Sequence, residues 1–267
     1  MTTVDLSTIS GLPLELDPAT GRLTDGNQRI VWDGPGERRF GDLRAVVASP
    51  DAIDAIADQV AYLTYRDVRH VDETGLAANG LRYDITVTQP GTVDGEYVKT
   101  AGHYHALDPN GVSWPEIYDV LSGSAVFVLQ RAVEDPAGDP AIDRAVAVVA
   151  GPGDRIVIPP DYGHVTVNVG DTPLVVADLV AIASANHYQG YANRRGGAIR
   201  IMDVPENEHR FEAVWNPMFP DVPSGIEIVL APELQPFEVH TPLYTLGVET
   251  PERAGFLTDP SSSAFVI

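Results

Sequence analysis

The sequence predicts an all-β sandwich or barrel with one N-terminal helix and peripheral extensions, and three observations carry that expectation. From about residue 80 the chain reads as short β-prone runs at fairly even spacing, over 81–88, 96–100, 116–121, 124–130, 145–149, 155–158, 164–169, 174–181 and 198–202. Glycine and proline punctuate those runs, as tight connections between strands require. The length of 267 residues, with no internal repeat and no clear second domain, suits one large β domain carrying additions.

Taken in order, residues 1–48 hold short apolar runs broken by turn signals such as Asp25-Gly26 and Gly34-Pro35-Gly36, expected of loops and edge strands. Ser49 reads as an N-cap, Pro50 as the first helical residue, and Asp51 and Asp54 complement a helix dipole. With Ile53, Ile56, Ala57 and Val60 on one face, the spacing predicts an amphipathic helix over 50–60. Gly123-Ser124, between two apolar strands, reads as a hairpin turn, and 131–144 as a longer loop. From Pro205 onward lie nine of the 22 prolines, which disfavours regular helix and allows short strands at 226–230 and 243–248. Residues 1–205 are therefore expected to form the main domain and 206–267 an extension packed on it or on a partner subunit.

Cysteine is absent, so disulfides, thiolate metal sites and a cysteine nucleophile are excluded, and any metal must bind through nitrogen and oxygen. The net charge of −21 repels nucleic acid and anionic membranes, so neither is expected as a partner. No run approaches the roughly 20 apolar residues of a membrane helix. MTTVDLSTIS has neither a basic region nor an apolar core, so no signal peptide is expected and the location predicted is cytoplasmic. Lys99 is the one lysine among 17 basic residues, a bias of composition rather than of chemistry.

Two of the seven histidines fall in Gly102-His103-Tyr104-His105. Alternate side chains of a strand share a face, so both imidazoles can reach one ion. Glu116 opens the strand Glu116-Ile117-Tyr118-Asp119-Val120-Leu121, and a carboxylate there completes a two-His, one-carboxylate set of the kind that binds first-row divalent metals. A second stretch, Gly153-Asp154-Arg155-Ile156-Val157-Ile158-Pro159-Pro160-Asp161-Tyr162-Gly163-His164, delivers a strand, a tight turn and a return strand beginning at His164, the natural fourth ligand. Singly these signals are weak; it is their conjunction that predicts a metal site.

These stretches resemble the paired motifs of the cupin superfamily, which implies a double-stranded β-helix, or jelly-roll barrel, with the metal inside. More narrowly, Thr86-Val87-Thr88-Gln89-Pro90-Gly91, Lys99-Thr100-Ala101-Gly102-His103-Tyr104-His105, Pro115-Glu116-Ile117-Tyr118 and the run from Val157 to Asp171 are similar to the archaeal-type glucose-6-phosphate isomerase family over about 12–205. The resemblance implies one divalent ion (iron, manganese, nickel or zinc) on His103, His105, Glu116 and His164. It implies phosphate contacts from Thr86, Thr100 and Gly102, and a sugar site lined by Tyr118 and His187. Tyr188 is a candidate to replace a missing tyrosine, and Arg194 with Arg195 reads as a solvated pair in preference to a phosphate clamp. His209 and His240 read as structural. The sequence departs from the family in a longer run from Ala106 to Pro115, in Asp161 and Val180 where tyrosines are expected, and in the extension beyond 205.

The implied reaction is interconversion of glucose 6-phosphate and fructose 6-phosphate, with Glu116 as base or with a hydride shift between C1 and C2. A related sugar, a metal-dependent dioxygenase and a non-catalytic sugar-binding cupin are the other classes open to the same ligand set. A homodimer is expected, because sheet edges and long extensions find cover on a partner subunit.

Overall fold

The computed structural model describes residues 3–26, 29–132, 141–204, 210–233 and 241–262 and is mostly β. Ten strands build its centre: β1 Ile30–Arg39, β2 Val60–His70, β3 Leu81–Thr88, β4 Glu116–Ser122, β5 Ala125–Ala132, β6 Ile142–Ala150, β7 Arg155–Ile158, β8 Tyr162–Asn168, β9 Leu174–Ala181 and β10 Glu227–Leu230. They form two sheets, ordered β7-β4-β9-β3-β2-β1 and β8-β5-β6-β10. All pairings are antiparallel except β6 with β10. β9, Leu-Val-Val-Ala-Asp-Leu-Val-Ala, is buried along its whole length, as a β-branched run covered on both faces should be.

Period-two alternation gives the six-stranded sheet two different faces. Tyr65, Tyr83, Ile85, Ala177, Leu179 and Ile117 point outward and are covered by Leu6, Leu12, Leu14 and Leu16 from one end of the chain and Leu243, Leu246 and Phe256 from the other. Tyr118, Val120, Ile156, Ile158 and Val176 point inward and meet Phe127, Leu129, Val146 and Val148 of the four-stranded sheet. Toward β3, β2 and β1 the inward positions turn polar, with Asp84, Thr86, Thr64 and Arg66, and that change of chemistry opens the site.

Several expectations are corrected. Gly123-Ser124 is not a hairpin turn, because β4 and β5 lie in different sheets. The chain crosses between sheets there with Gly123 at φ 91°, where a Cβ would sit 2.9 Å from Leu174 Cα. The helix over 50–60 is absent. Pro50–Ile53 is a single 3₁₀ turn, continued by i to i−3 bonds from Ile56 to Ile53 and from Gln59 to Ile56, and Ser49 makes no cap. Three-residue spacing of Ile53 and Ile56 serves that tighter coil. Val60 belongs instead to β2, so the β region begins well before residue 80. The strand expected at 243–248 is a helix, α1 Leu243–Glu249, whose Leu243, Leu246 and Gly247 bury one face. The return strand expected to start at His164 starts at Tyr162, and in the opposite sheet from β7. The middle of the loop expected over 131–144, together with His209 and His240, lies outside the described residues.

The described part of the extension is anchored through the buried Asp119–Arg155 pair on β4 and β7. Arg155 also donates to the Thr241 carbonyl at 2.9 Å, and Asp119 accepts from the Leu243 amide at 3.1 Å.

Candidate metal centre

Three segments deliver four ligating atoms to one point. Glu116 opens β4 of the six-stranded sheet; His164 lies on β8 of the four-stranded sheet; His103 and His105 lie on the crossing segment, where His103 bridges to His164 through backbone bonds of 3.2 and 3.0 Å. The four ligand atoms all lie within 4.8 Å of one another. His105 is fixed by its Nδ1, which donates to the Trp114 carbonyl at 2.6 Å, since a carbonyl can only accept. Its Nε2 therefore turns a lone pair inward, 3.3 Å from Glu116 Oε2 and 3.1 Å from His103 Nε2. His164 Nε2 is 3.2 Å from the same carboxylate oxygen and 3.0 Å from the Tyr118 hydroxyl.

This arrangement fits a divalent cation. Glu116 Oε2 is buried with no donor aimed at it, although two imidazole nitrogens stand beside it. Lone pairs turned toward a carboxylate repel one another unless a positive charge lies between them. Burial, then His164 and His105, pushes His103 well below its ordinary value, and burial holds His164 at about 4. Both rings are thus neutral at pH 7, as metal ligation requires. Burial pushes the Glu116 carboxyl up, but the three imidazoles around it outweigh that effect and hold the group below the ordinary carboxylate range. Three imidazole nitrogens and one carboxylate oxygen accept iron, manganese, nickel or zinc alike.

The longer run from Ala106 to Pro115 supports this geometry directly. Asp108 turns it by accepting the amides of Asn110 and Val112 at 2.8 and 2.9 Å, Trp114 orients His105, and Ser113 Oγ accepts the Asp161 amide at 2.6 Å. Asp161 takes φ 69° at the turn before β8, a conformation aspartate tolerates better than most residues.

A cavity of about 80 Å³ opens beside His103, Glu116 and His164. Of the residues singled out from the sequence, Thr86, Thr100, Gly102, Tyr118 and Tyr188 line it with His103, Glu116 and His164. Thr100 Oγ1 accepts the Thr166 amide at 3.1 Å, which leaves its proton to be donated into the cavity. Gly102, at φ 74°, has no room for a Cβ, which would lie 2.6 Å from the Tyr191 ring and from Val165. Tyr188 is 40% exposed at the mouth, its ring centroid 5.5 Å from that of His103.

His187 is not brought in: it is exposed and pairs with Tyr104, while its neighbours Asn186 and Tyr188 face the cavity. Arg194 and Arg195 stay outside as well, Arg194 lying 5.3 Å over the Phe219 ring. The cavity instead contains Arg38, Thr64, Arg66 and Asp178, which the sequence reading missed. Burial, reinforced by the Glu116 charge, holds Asp178 well above the ordinary carboxylate range. The available signal was alternation, because Thr64 and Arg66 on β2, and Val176 and Asp178 on β9, fall two residues apart.

Residues 37–216 match the family profile described as "Glucose-6-phosphate isomerase (GPI)". The chain belongs to this family. It is 28% identical over 203 residues to the glucose-6-phosphate isomerase of Thermococcus onnurineus, covering 72% of this chain and 94% of the relative. With the Pyrococcus horikoshii enzyme of the same name it shares 29% over 206 residues, covering 73% and 95%. Among solved structures, an oxalate oxidase in complex with glycolate matches 38% of this chain and 41% of its own at 18% identity and a TM-score of 0.29, too slight a likeness to argue from. Among the described residues no helix is long and apolar enough to cross a membrane.

Proposed function

We propose that this chain interconverts glucose 6-phosphate and fructose 6-phosphate at a divalent metal ion held by His103, His105, Glu116 and His164, within a cupin double-stranded β-helix. Membership of the GPI family supports the reaction, and one observation in the structure supports the site: four potential ligand atoms converge beside a cavity that three of these residues line together with Thr86, Thr100 and Gly102. When bound, the ion lowers the cost of negative charge developing on the oxygens at C1 and C2 of the sugar.

The chain's own groups do the rest. Glu116 Oε2 faces the imidazoles, and Oε1 is the atom that takes the proton from C2 of the open-chain aldose and returns it to C1. Tyr118, 7% exposed and 3.0 Å from His164 Nε2, borders the same space and fixes the orientation of the sugar. Thr86, the Thr100 hydroxyl and the Gly102 amide hold the phosphate. His187 has no part in this reading. The protein is read as a cytoplasmic homodimer, with the extension closing on the sheet.

The test is a metal-reconstituted assay with glucose 6-phosphate, mannose 6-phosphate and the unphosphorylated sugars, using iron, manganese, nickel and zinc in turn. Turnover of glucose 6-phosphate that disappears on chelation is the expected result. Absence of turnover with all four metals would overturn the reading.

A further inference from the structure

The cavity wall carries two arginines, and they are not equivalent. Arg66 on β2 is committed: its guanidinium bonds the buried carboxylate of Asp84, which also pairs with Arg82 at 2.9 Å. Arg38 on β1 also lines the cavity, but among the described residues no carboxylate lies within ion-pair distance of it. In a protein of net charge −21, whose neighbouring Arg39 and Arg22 both pair with Glu37, Arg38 is exposed at the cavity mouth and free of a carboxylate among the described residues, so its guanidinium is available to an external anion.

Register shows which end of the cavity Arg38 serves. It stands directly opposite Tyr62 across the β1–β2 pair, and Tyr62, 6% exposed, also lines the cavity. The Tyr62 oxygen is faced by both Arg38 and the Ala101 amide, and Ala101 lies between Thr100 and Gly102. Arg38 therefore reaches the cavity wall at the Thr100–Gly102 segment and not at the carboxylate of Glu116. We propose that Arg38 is a phosphate-binding residue of this site, the cationic half of a subsite whose neutral half is Thr100, Gly102 and the Tyr62 hydroxyl, and that it selects phosphorylated over unphosphorylated sugars. This rests on the sugar-phosphate reading above. The planar guanidinium offers paired donors to phosphate oxygens that hydroxyls alone cannot match.

The test uses the full chain, wild type and Arg38→Gln, with Arg38→Lys as the conservative variant. Dissociation constants for glucose 6-phosphate, inorganic phosphate and glucose are measured by calorimetry, alongside kcat and KM with the active metal. Arg38→Gln is expected to weaken glucose 6-phosphate and phosphate binding, and to raise KM, about tenfold or more, with kcat within about threefold and glucose binding unchanged. Arg38→Lys should recover part of the loss. A change of less than about threefold for both phosphate-bearing ligands overturns the proposal. So does an equal loss for glucose, which would show Arg38 merely supporting Tyr62. If wild type neither binds nor turns over glucose 6-phosphate, the functional reading fails; inorganic phosphate then still decides, and equal affinity in wild type and Arg38→Gln overturns the anion site as well.

Discussion

In the proposed reaction Glu116 has two duties on one side chain, ligand at Oε2 and proton acceptor at Oε1. Glu116→Gln keeps the bulk and one carbonyl oxygen but removes the charge and the basicity, so kcat should fall by at least about 10²-fold while the fold is retained. Kinetics with metal content measured on the same sample checks this, and near-normal turnover would refute the role. Proton transfer through a carboxylate also predicts that fructose 6-phosphate formed in deuterium oxide carries deuterium at C1, read by NMR; complete retention of the original hydrogen would favour a hydride shift. Gly102→Ala introduces a Cβ at φ 74° within 2.6 Å of Tyr191 and Val165, and should lower stability by about 2 kcal/mol or more, measured by urea denaturation. The four-residue cluster was legible in the sequence because three of its members are among only seven histidines and all four stand beside strand or turn signals. His187 falls on the exposed side of its short strand, whereas its neighbours Asn186 and Tyr188 line the cavity. Arg38, Arg66 and Asp178 were hidden because arginine and aspartate are common, and only register shows which of them point inward.

Between elements, the Asp119–Arg155 pair ties β4 and β7 to the start of α1, with both side chains largely buried. Removing one partner strands the other charge, so Arg155→Met should cost about 3–5 kcal/mol and expose the chain near Thr241 to proteolysis. The pH dependence has a definite sign. Burial raises the Asp119 carboxyl above its ordinary value even with Arg155 opposing it. In Arg155→Met that opposition is gone and the folded value rises further. A raised folded value means stability is fully present below the unfolded carboxylate value and lost as pH rises through the folded one. The deficit of the variant relative to wild type should therefore be smaller at pH 4 than at pH 7; an equal deficit would point to lost packing alone. At this scale the strands 155–158 and 174–181 were legible to the residue, because β-branched runs bounded by glycine and proline leave little choice. The segment 50–60 misled because a three-residue apolar spacing suits a 3₁₀ coil as well as the start of an α-helix. The strand expected at 243–248 is a helix because Leu243, Leu246 and Gly247 meet a surface that another part of the chain provides, with Gly247 close to Leu76 and Leu179.

In the whole molecule, the candidate ligand set draws on both sheets and on the segment that crosses between them. Glu116 belongs to one sheet, His164 to the other, and His103 with His105 to the segment crossing between them. Even spacing of short strands made a two-layer β architecture legible. The switch of sheets at Gly123 was not, because a glycine turn between two strands looks the same whether they pair or part. A cation held at this junction would cross-link the layers as well as serve the proposed reaction, and it would bind the folded chain far better than the unfolded one. At a free metal concentration about 1,000 times the dissociation constant, linkage gives about 4 kcal/mol of stabilisation. For a chain of this length each kcal/mol moves the midpoint by about 2–4 °C, so chelation should lower Tm by about 8–16 °C and resupply of the active metal should restore it. His164→Ala, which removes the one candidate ligand that the four-stranded sheet contributes among the described residues, should have a low Tm that no longer responds to metal. If calorimetry found the same Tm for chelated and reconstituted wild-type protein with iron, manganese, nickel and zinc, the four residues would not be a metal centre, and their convergence would have to be explained by hydrogen bonding among neutral imidazoles.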